Sequence, residues 1–166
     1  MGPPGASPPG NREGYSDALM ALRWVGRANL EAQQELARRL GVGITDVAAL
    51  DHLSASDAPM GPAELAKRLG IRSASATALV DRLVVSGHVS RTPHPADRRR
   101  IALAQTPLSD ARTTAALAPM LIEIEAAAQR LTEGEAAAVT RFLGEAAQAM
   151  RNYARGVDAP SAQSEG

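Results

Sequence analysis

Apolar residues recur at helical spacing along most of the chain, and they alternate with polar residues in only one region. From Tyr15 onward, a helical spacing is kept by Leu19, Leu22, Ala28, Leu36 and Leu40. Glycine follows at position 41, as it does at many helix ends. The pattern predicts one long first helix over 15–40.

Two shorter helices are predicted next. Thr45 precedes "DVAALDHL" and is a plausible N-cap, with Asp46 near the positive end of the helix dipole. After the polar loop "SASDAP", Gly61 and Pro62 occupy a cap and a first helical position, and "AELAKRL" runs to Gly70. This second segment is a helix of about two turns.

The segment "RSASATALVDRLVVSG" predicts a further helix, which ends at Gly87. Two helices joined by a short turn with glycine form a helix-turn-helix. A rotation of 100° per residue gives the second helix an apolar face, made of Ala76, Leu79, Val80 and Leu83. The same rotation puts a second set on the opposite, free face: Ala74, Thr77, Ala78, Asp81 and Arg82.

Alternation appears in "HVSRT" and "IALAQ", which predict two strands of a hairpin. The segment between them, "PHPADRRR", contains two prolines and predicts a long loop with a charged tip.

Two helices are predicted to complete the chain. Thr106 and Pro107 open the first of them, with Pro119 as a kink. Thr132 and Glu135 form a capping-box pattern, which starts a last helix that continues to about Arg155.

Length and composition favour a single domain. The chain has 166 residues, and both ends are low in complexity and rich in Pro, Gly and Ser. We expect residues 1–14 and 156–166 to be disordered tails around one domain over 15–155. The start of the chain has no basic segment followed by an apolar one, and no apolar stretch is long enough to span a membrane. The protein is therefore expected to be soluble and cytoplasmic, without a membrane partner.

Charge is concentrated in the middle of the chain. The net charge is zero, but residues 61–106 contain eight basic and three acidic side chains. This excess of +5 favours a central surface that faces a polyanion. The alternative is a solvated basic face without a partner.

The sequence gives little support for catalysis, metal binding or redox chemistry. There is no cysteine, which excludes disulfides, zinc-thiolate sites and thiol redox sensing. His52, His88 and His94 are scattered and match no nucleophile-base or metal-binding pattern. We expect no catalytic activity, no cofactor and no metal site.

The order of elements and three strings resemble the MarR family of winged helix-turn-helix transcription regulators. The strings are "AELAKRLGI", "TALVDRL" followed by "SGHV", and "DRRRIALAQT". Asp97, Arg99 and Thr106 match the family's wing pattern, in which Asp-x-Arg precedes a strand and a Leu-Thr pair. Three positions depart from the family: Gln105 replaces Leu, Arg72 replaces a capping Ser, and Ser109 replaces Gly. Ser73 is the alternative cap for the recognition helix.

The resemblance implies a mainly α (α+β) fold. The winged helix-turn-helix would cover about residues 44–106, and helices over about 15–40 and 107–155 would form a dimerisation domain. The implied function is a ligand-responsive repressor that binds a pseudo-palindromic double-stranded DNA operator as a homodimer. The alternative is a winged helix that contacts only proteins.

Three groups of site residues follow. The recognition helix would contact DNA through its free side: Ser73, Ala74, Ser75, Thr77, Ala78 and Arg82. The wing would contribute Arg91, Asp97, Arg98, Arg99 and Arg100, with Asp97 aiming Arg99 into the minor groove. A small aromatic or carboxylate effector would meet Trp24, Asp51 and His52, for which the alternative is a core tryptophan and a structural histidine.

Overall fold

The computed structural model describes residues 14–56 and 58–156, with the backbone but not the side chain of Arg98. Apart from Gly14 and Gly156, the two tails predicted from composition lie outside the described residues. The chain forms two compact units, Met1–Leu117 and Ala118–Gly166.

Six helices and one hairpin make up the described chain. In order they are α1 (Asp17–Leu40), α2 (Ile44–Ser54), α3 (Pro62–Leu69), α4 (Ser73–Val85), β1 (Val89–His94), β2 (Asp97–Gln105), α5 (Pro107–Ala128) and α6 (Glu133–Ala154). The predicted fold class is confirmed: the chain is mainly helical, with an antiparallel two-stranded wing after a helix-turn-helix.

The start of α2 corrects the prediction that Thr45 is its cap. The helix begins at Ile44, with Gly43 at the N-cap position. The Gly43 amide donates a hydrogen bond to Oδ2 of Asp46 at 2.9 Å. A carboxylate at the third position of a helix can accept a hydrogen bond from the backbone amide of the N-cap residue. Asp46 accepts in this way from the Gly43 amide, which a hydroxyl at Thr45 could not reach.

The start of α4 corrects a second prediction, that Ser73 caps the recognition helix. Ser73 is the first residue of the helix, and Arg72 stands at the N-cap position with extended backbone angles (φ −68°, ψ 148°). A guanidinium has no acceptor, so Arg72 cannot bond the first amides of the helix. No side-chain cap is present at this position.

The wing is tighter than predicted, because no long loop joins its strands. The ladder runs from Val89 paired with Gln105 to Pro93 paired with Ile101, and then shifts so that His94 pairs with Asp97. Only residues 95 and 96 form the turn. The strand residues 98–100 therefore form a bulge, which places the three consecutive arginines at the distal end of the hairpin.

The core of the first unit lies between α2, α3, α4 and the wing. Its fully enclosed side chains include Leu65 from α3 and Leu83 from α4. The apolar face predicted for α4 is confirmed, since all four of its members are buried: Ala76, Leu79, Val80 and Leu83. The last turns of α1 join this unit through Leu36 and Ala37, which cluster with Val47 of α2.

In the second unit, residues 118–156, no described side chain is buried. The predicted capping box of α6 is confirmed, because Glu135 accepts hydrogen bonds from the amide (2.8 Å) and the hydroxyl (2.7 Å) of Thr132. Large apolar side chains remain exposed along these helices: Met120, Leu121, Ile122, Ile124, Leu131, Val139, Leu143, Met150 and Tyr153.

The capping box predicts a pH dependence of stability. The hydrogen bonds from Thr132 lower the pKa of Glu135 below its ordinary value of 4.5. This contribution to the free energy of unfolding is therefore complete above that value and is lost as the pH falls through the lowered pKa. We expect Glu135→Gln to reduce the decrease in melting temperature between pH 6 and pH 3, measured by circular dichroism. Glu133→Gln, in the same helical turn, is the matched control and should keep the wild-type decrease.

Candidate nucleic-acid interface

The free face of α4 is formed as predicted. All six predicted contact residues of this helix are exposed: Ser73, Ala74, Ser75, Thr77, Ala78 and Arg82. The Thr77 hydroxyl donates a hydrogen bond to the carbonyl oxygen of Ser73 at 3.0 Å, so its proton is used within the helix. The first part of this face thus consists of small side chains that permit close approach to another surface.

Arg82 is tied to α2. Its Nε and Nη2 donate to the two carboxylate oxygens of Asp46, at 3.2 Å and 2.5 Å. The Asp46 side chain is only 2% exposed, whereas that of Arg82 is 59% exposed. This ion pair raises the pKa of Arg82, and it links α4 to the start of α2. Sequence reasoning assigned Asp46 only to the helix dipole and missed this contact.

A second ion pair fixes the wing to α4. Nη2 of Arg91, on β1, lies 2.5 Å from Oδ1 of Asp81. Arg91 was predicted as a wing contact for DNA, and the structure places its guanidinium against α4. The pair is a surface contact between β1 and α4.

The hydrogen bond of Asp97 differs from the prediction. Its Oδ1 accepts from the backbone amide of Arg99 at 3.0 Å, and not from the guanidinium. The short side chain of aspartate readily reaches an amide two residues ahead, which stabilises a turn of the backbone. Asp97 therefore holds the bulge in shape and orients Arg99 only through the main chain.

Apart from Arg98, whose side chain is not described, the basic side chains of residues 61–106 divide into two sets. Three are neutralised: Arg68 by Glu64, Arg82 by Asp46 and Arg91 by Asp81. Within 14–56 and 58–156, four others make no ion pair: Lys67, Arg72, Arg99 and Arg100. All four are exposed, and they lie at the end of α3, just before α4 and in the bulge of the wing. Positive charge is thus uncompensated at these three places.

A hydrogen-bonded cluster joins the wing to the start of α5. The buried Nδ1 of His88 lies 2.9 Å from Oγ of Ser109, which also accepts from Nε2 of Gln105. Thr106 adds two bonds, from its amide to the carbonyl oxygen of His88 and from its hydroxyl to that of Gly87. Gln105 and Ser109 are two of the positions at which the sequence departs from the family pattern. Their side chains are hydrogen-bonded to each other, so each polar residue provides a partner for the other.

The three residues proposed for an effector are not brought together by any described contact. Trp24 is 41% exposed on α1, Asp51 is exposed on α2, and His52 is half-buried beside it. A cavity of about 650 Å³ lies elsewhere in the first unit, between the end of α2, the inner side of the wing and the start of α5. Leu53, Met60, Pro93, Gln105 and Asp110 are among its lining residues.

Two other kinds of feature have no candidate in the described part of the chain. Among the described residues, no three His, Asp or Glu side chains are grouped as metal ligands. Within the same residues, every helix is too short or too polar to cross a bilayer.

Comparison with known proteins finds a family whose sequence model matches the middle of the chain. Residues 40–100 match the sequence model described as the MarR family, from the last residue of α1 to the bulge of the wing. Over this span, the chain is similar to the MarR family. The matched span contains all of the predicted contact residues for DNA.

One curated relative matches about half of the chain. Over 86 residues, the chain is 38% identical to YcgE of Bacillus subtilis, an uncharacterized HTH-type transcriptional regulator. That segment covers 52% of this chain and 55% of YcgE, so the match spans about half the length of each protein.

Solved structures extend the comparison over most of the chain. The crystal structure of Rv1404 from Mycobacterium tuberculosis is similar with a TM-score of 0.63 at 25% identity, covering 85% of this chain and 98% of that one. A point mutant of MepR from S. aureus, bound to an oligodeoxyribonucleotide, has a TM-score of 0.53 at 15% identity over 82% of this chain and 99% of MepR. MepR thus shares the fold.

Proposed function

We propose that this chain is a MarR-family transcription regulator that binds double-stranded DNA in a sequence-specific manner. In this proposal α4 enters the major groove, and the bulge of the wing reaches the adjacent minor groove. The observation that carries it is the position of the four uncompensated basic side chains. They flank an exposed helix face of small residues, where phosphate contacts are needed to set the register of a recognition helix.

We further propose that the functional unit is a homodimer formed through α1, α5 and α6. The second unit leaves its apolar side chains uncovered, with Ile122 at 67% and Leu121 at 50% exposure. Helices that expose apolar stripes in a single chain are typical of surfaces covered in an oligomer. A two-fold dimer would present two copies of α4 and so favour a pseudo-palindromic operator.

Repression and its relief by a small aromatic or carboxylate effector are the finer part of the proposal. They rest on the family resemblance, and Trp24, Asp51 and His52 remain the residues to substitute in a ligand screen. A non-enzymatic role is consistent with the description of YcgE as a transcriptional regulator.

Selection from a pool of randomised DNA duplexes by the full-length protein tests the proposal. We expect enrichment of a two-fold symmetric site, with half-sites about one helical turn, or roughly 34 Å, apart. Sedimentation of the complex should give two chains per duplex. If the pool after several rounds matches the starting pool, the chain is not a sequence-specific regulator, and its winged helix would then be assigned to protein contacts.

A further inference from the structure

The centre of the exposed face of α4 is made of methyl groups. Ala74, Thr77 and Ala78 are related by steps of three and four residues, so they are neighbours on the helix surface. All three are exposed, and each ends in a methyl group close to the backbone. This patch is uncharged.

The hydroxyl of Thr77 is already used inside the helix. It donates its proton to the carbonyl oxygen of Ser73 at 3.0 Å. It has no second proton with which to donate to a base, so Thr77 can offer a partner its methyl group and the acceptor capacity of its oxygen.

The charged neighbours of the patch are also engaged. The Nε and Nη2 edge of Arg82 binds the carboxylate of Asp46, and Asp81 binds Arg91. These pairs keep the guanidinium and the carboxylate in place around the patch. Towards the C-terminal end of α4, the patch is thus bordered by two neutralised pairs.

From this arrangement we infer that α4 reads thymine through its methyl group. This inference rests on the proposed function and specifies what the same surface recognises. Among the four bases, thymine alone presents a methyl group in the major groove, where it is contacted by alanine and threonine methyls. The patch formed by Ala74, Thr77 and Ala78 selects operator half-sites that carry thymine opposite it.

The test compares two duplexes that differ only in methyl groups. One is the site enriched from the randomised pool, and the other has deoxyuridine in place of the thymines in its half-sites. Burial of one methyl group corresponds to a roughly threefold to fivefold change in affinity. We expect the wild-type protein to bind the uracil duplex at least threefold more weakly, measured by fluorescence anisotropy at one salt concentration.

Two substitutions at Thr77 separate the methyl group from the hydroxyl. Thr77→Val keeps a methyl at that position and should bind the thymine duplex like the wild type. Thr77→Ser keeps the hydroxyl, and should lose about threefold to fivefold on the thymine duplex while responding less to uracil. Because Thr77 is exposed, both variants should keep the wild-type melting temperature.

Three outcomes would overturn the inference alone. In the first, the wild-type protein binds the two duplexes equally. In the second, Thr77→Ser binds like the wild type while Thr77→Val binds more weakly. In the third, the enriched half-sites contain no thymine. A wild-type protein that enriches no sequence would overturn the proposed function as well.

Discussion

Replacing Arg82 with alanine should destabilise the protein by about 2–3 kcal/mol. The substitution leaves the Asp46 carboxylate, which is 2% exposed, with the Gly43 amide as its remaining hydrogen-bond donor. Breaking a fully buried ion pair usually costs more, but the Arg82 side chain is 59% exposed, so water can partly replace it. Urea unfolding followed by circular dichroism measures the loss.

Arg68→Ala is the matched control for this prediction. It removes the same side chain, but its partner Glu64 is 48% exposed on the surface of α3, so the free energy of unfolding should change by no more than about 0.5 kcal/mol. Equal effects of the two substitutions would show that the buried carboxylate of Asp46 does not depend on Arg82.

Replacing Arg99 with alanine should weaken DNA binding roughly tenfold to a hundredfold, which is the scale of a specific arginine contact. Arg99 is exposed in the bulge of the wing and makes no ion pair within residues 14–56 and 58–156. Its charge is therefore available to the narrow minor groove, which attracts arginine. Arg68→Ala, whose guanidinium is engaged by Glu64, should change the affinity much less, and equal losses would reduce the wing to general surface charge.

The same experiment includes two variants of Asp97. Asparagine can still accept the hydrogen bond from the Arg99 amide, so Asp97→Asn should keep the bulge and bind DNA at least as tightly, with one negative charge less. Alanine cannot accept that bond, so Asp97→Ala should bind more weakly than Asp97→Asn because the bulge loses its support. Weaker binding by Asp97→Asn than by Asp97→Ala would show that the contact with the backbone is not the role of Asp97.

Local patterns predicted most of the fold. The periodicity of α4 identified its buried and exposed faces, and the capping box of α6 was visible as Thr132 followed by Glu135. These features depend on residues three or four positions apart. Sequence periodicity predicts structure over this range. The prediction that Thr45 caps α2 was wrong, because the helix already begins at Ile44 and Asp46 reaches back to the Gly43 amide.

Contacts between distant residues could not be predicted. Asp46 and Arg82 are 36 positions apart, and no local rule pairs them. The bulge of the wing depends on a shift in strand register, so the arginines of residues 98–100 were assigned to a loop although they belong to β2. The cluster of His88, Gln105 and Ser109 did leave a signal, since two of its members break the family pattern.

The most direct test of sequence-specific DNA binding compares the affinity of the wild-type protein for two duplexes. One is the enriched duplex, and the other is a scrambled duplex of the same composition. Both affinities are measured over a series of salt concentrations. For both duplexes, the logarithm of the affinity should fall linearly with the logarithm of the salt concentration, because phosphate contacts release counterions. At every salt concentration the enriched duplex should bind more tightly, by a factor of about 10³ or more. Equal affinity for the two duplexes, or an affinity that does not change with salt, would contradict the account.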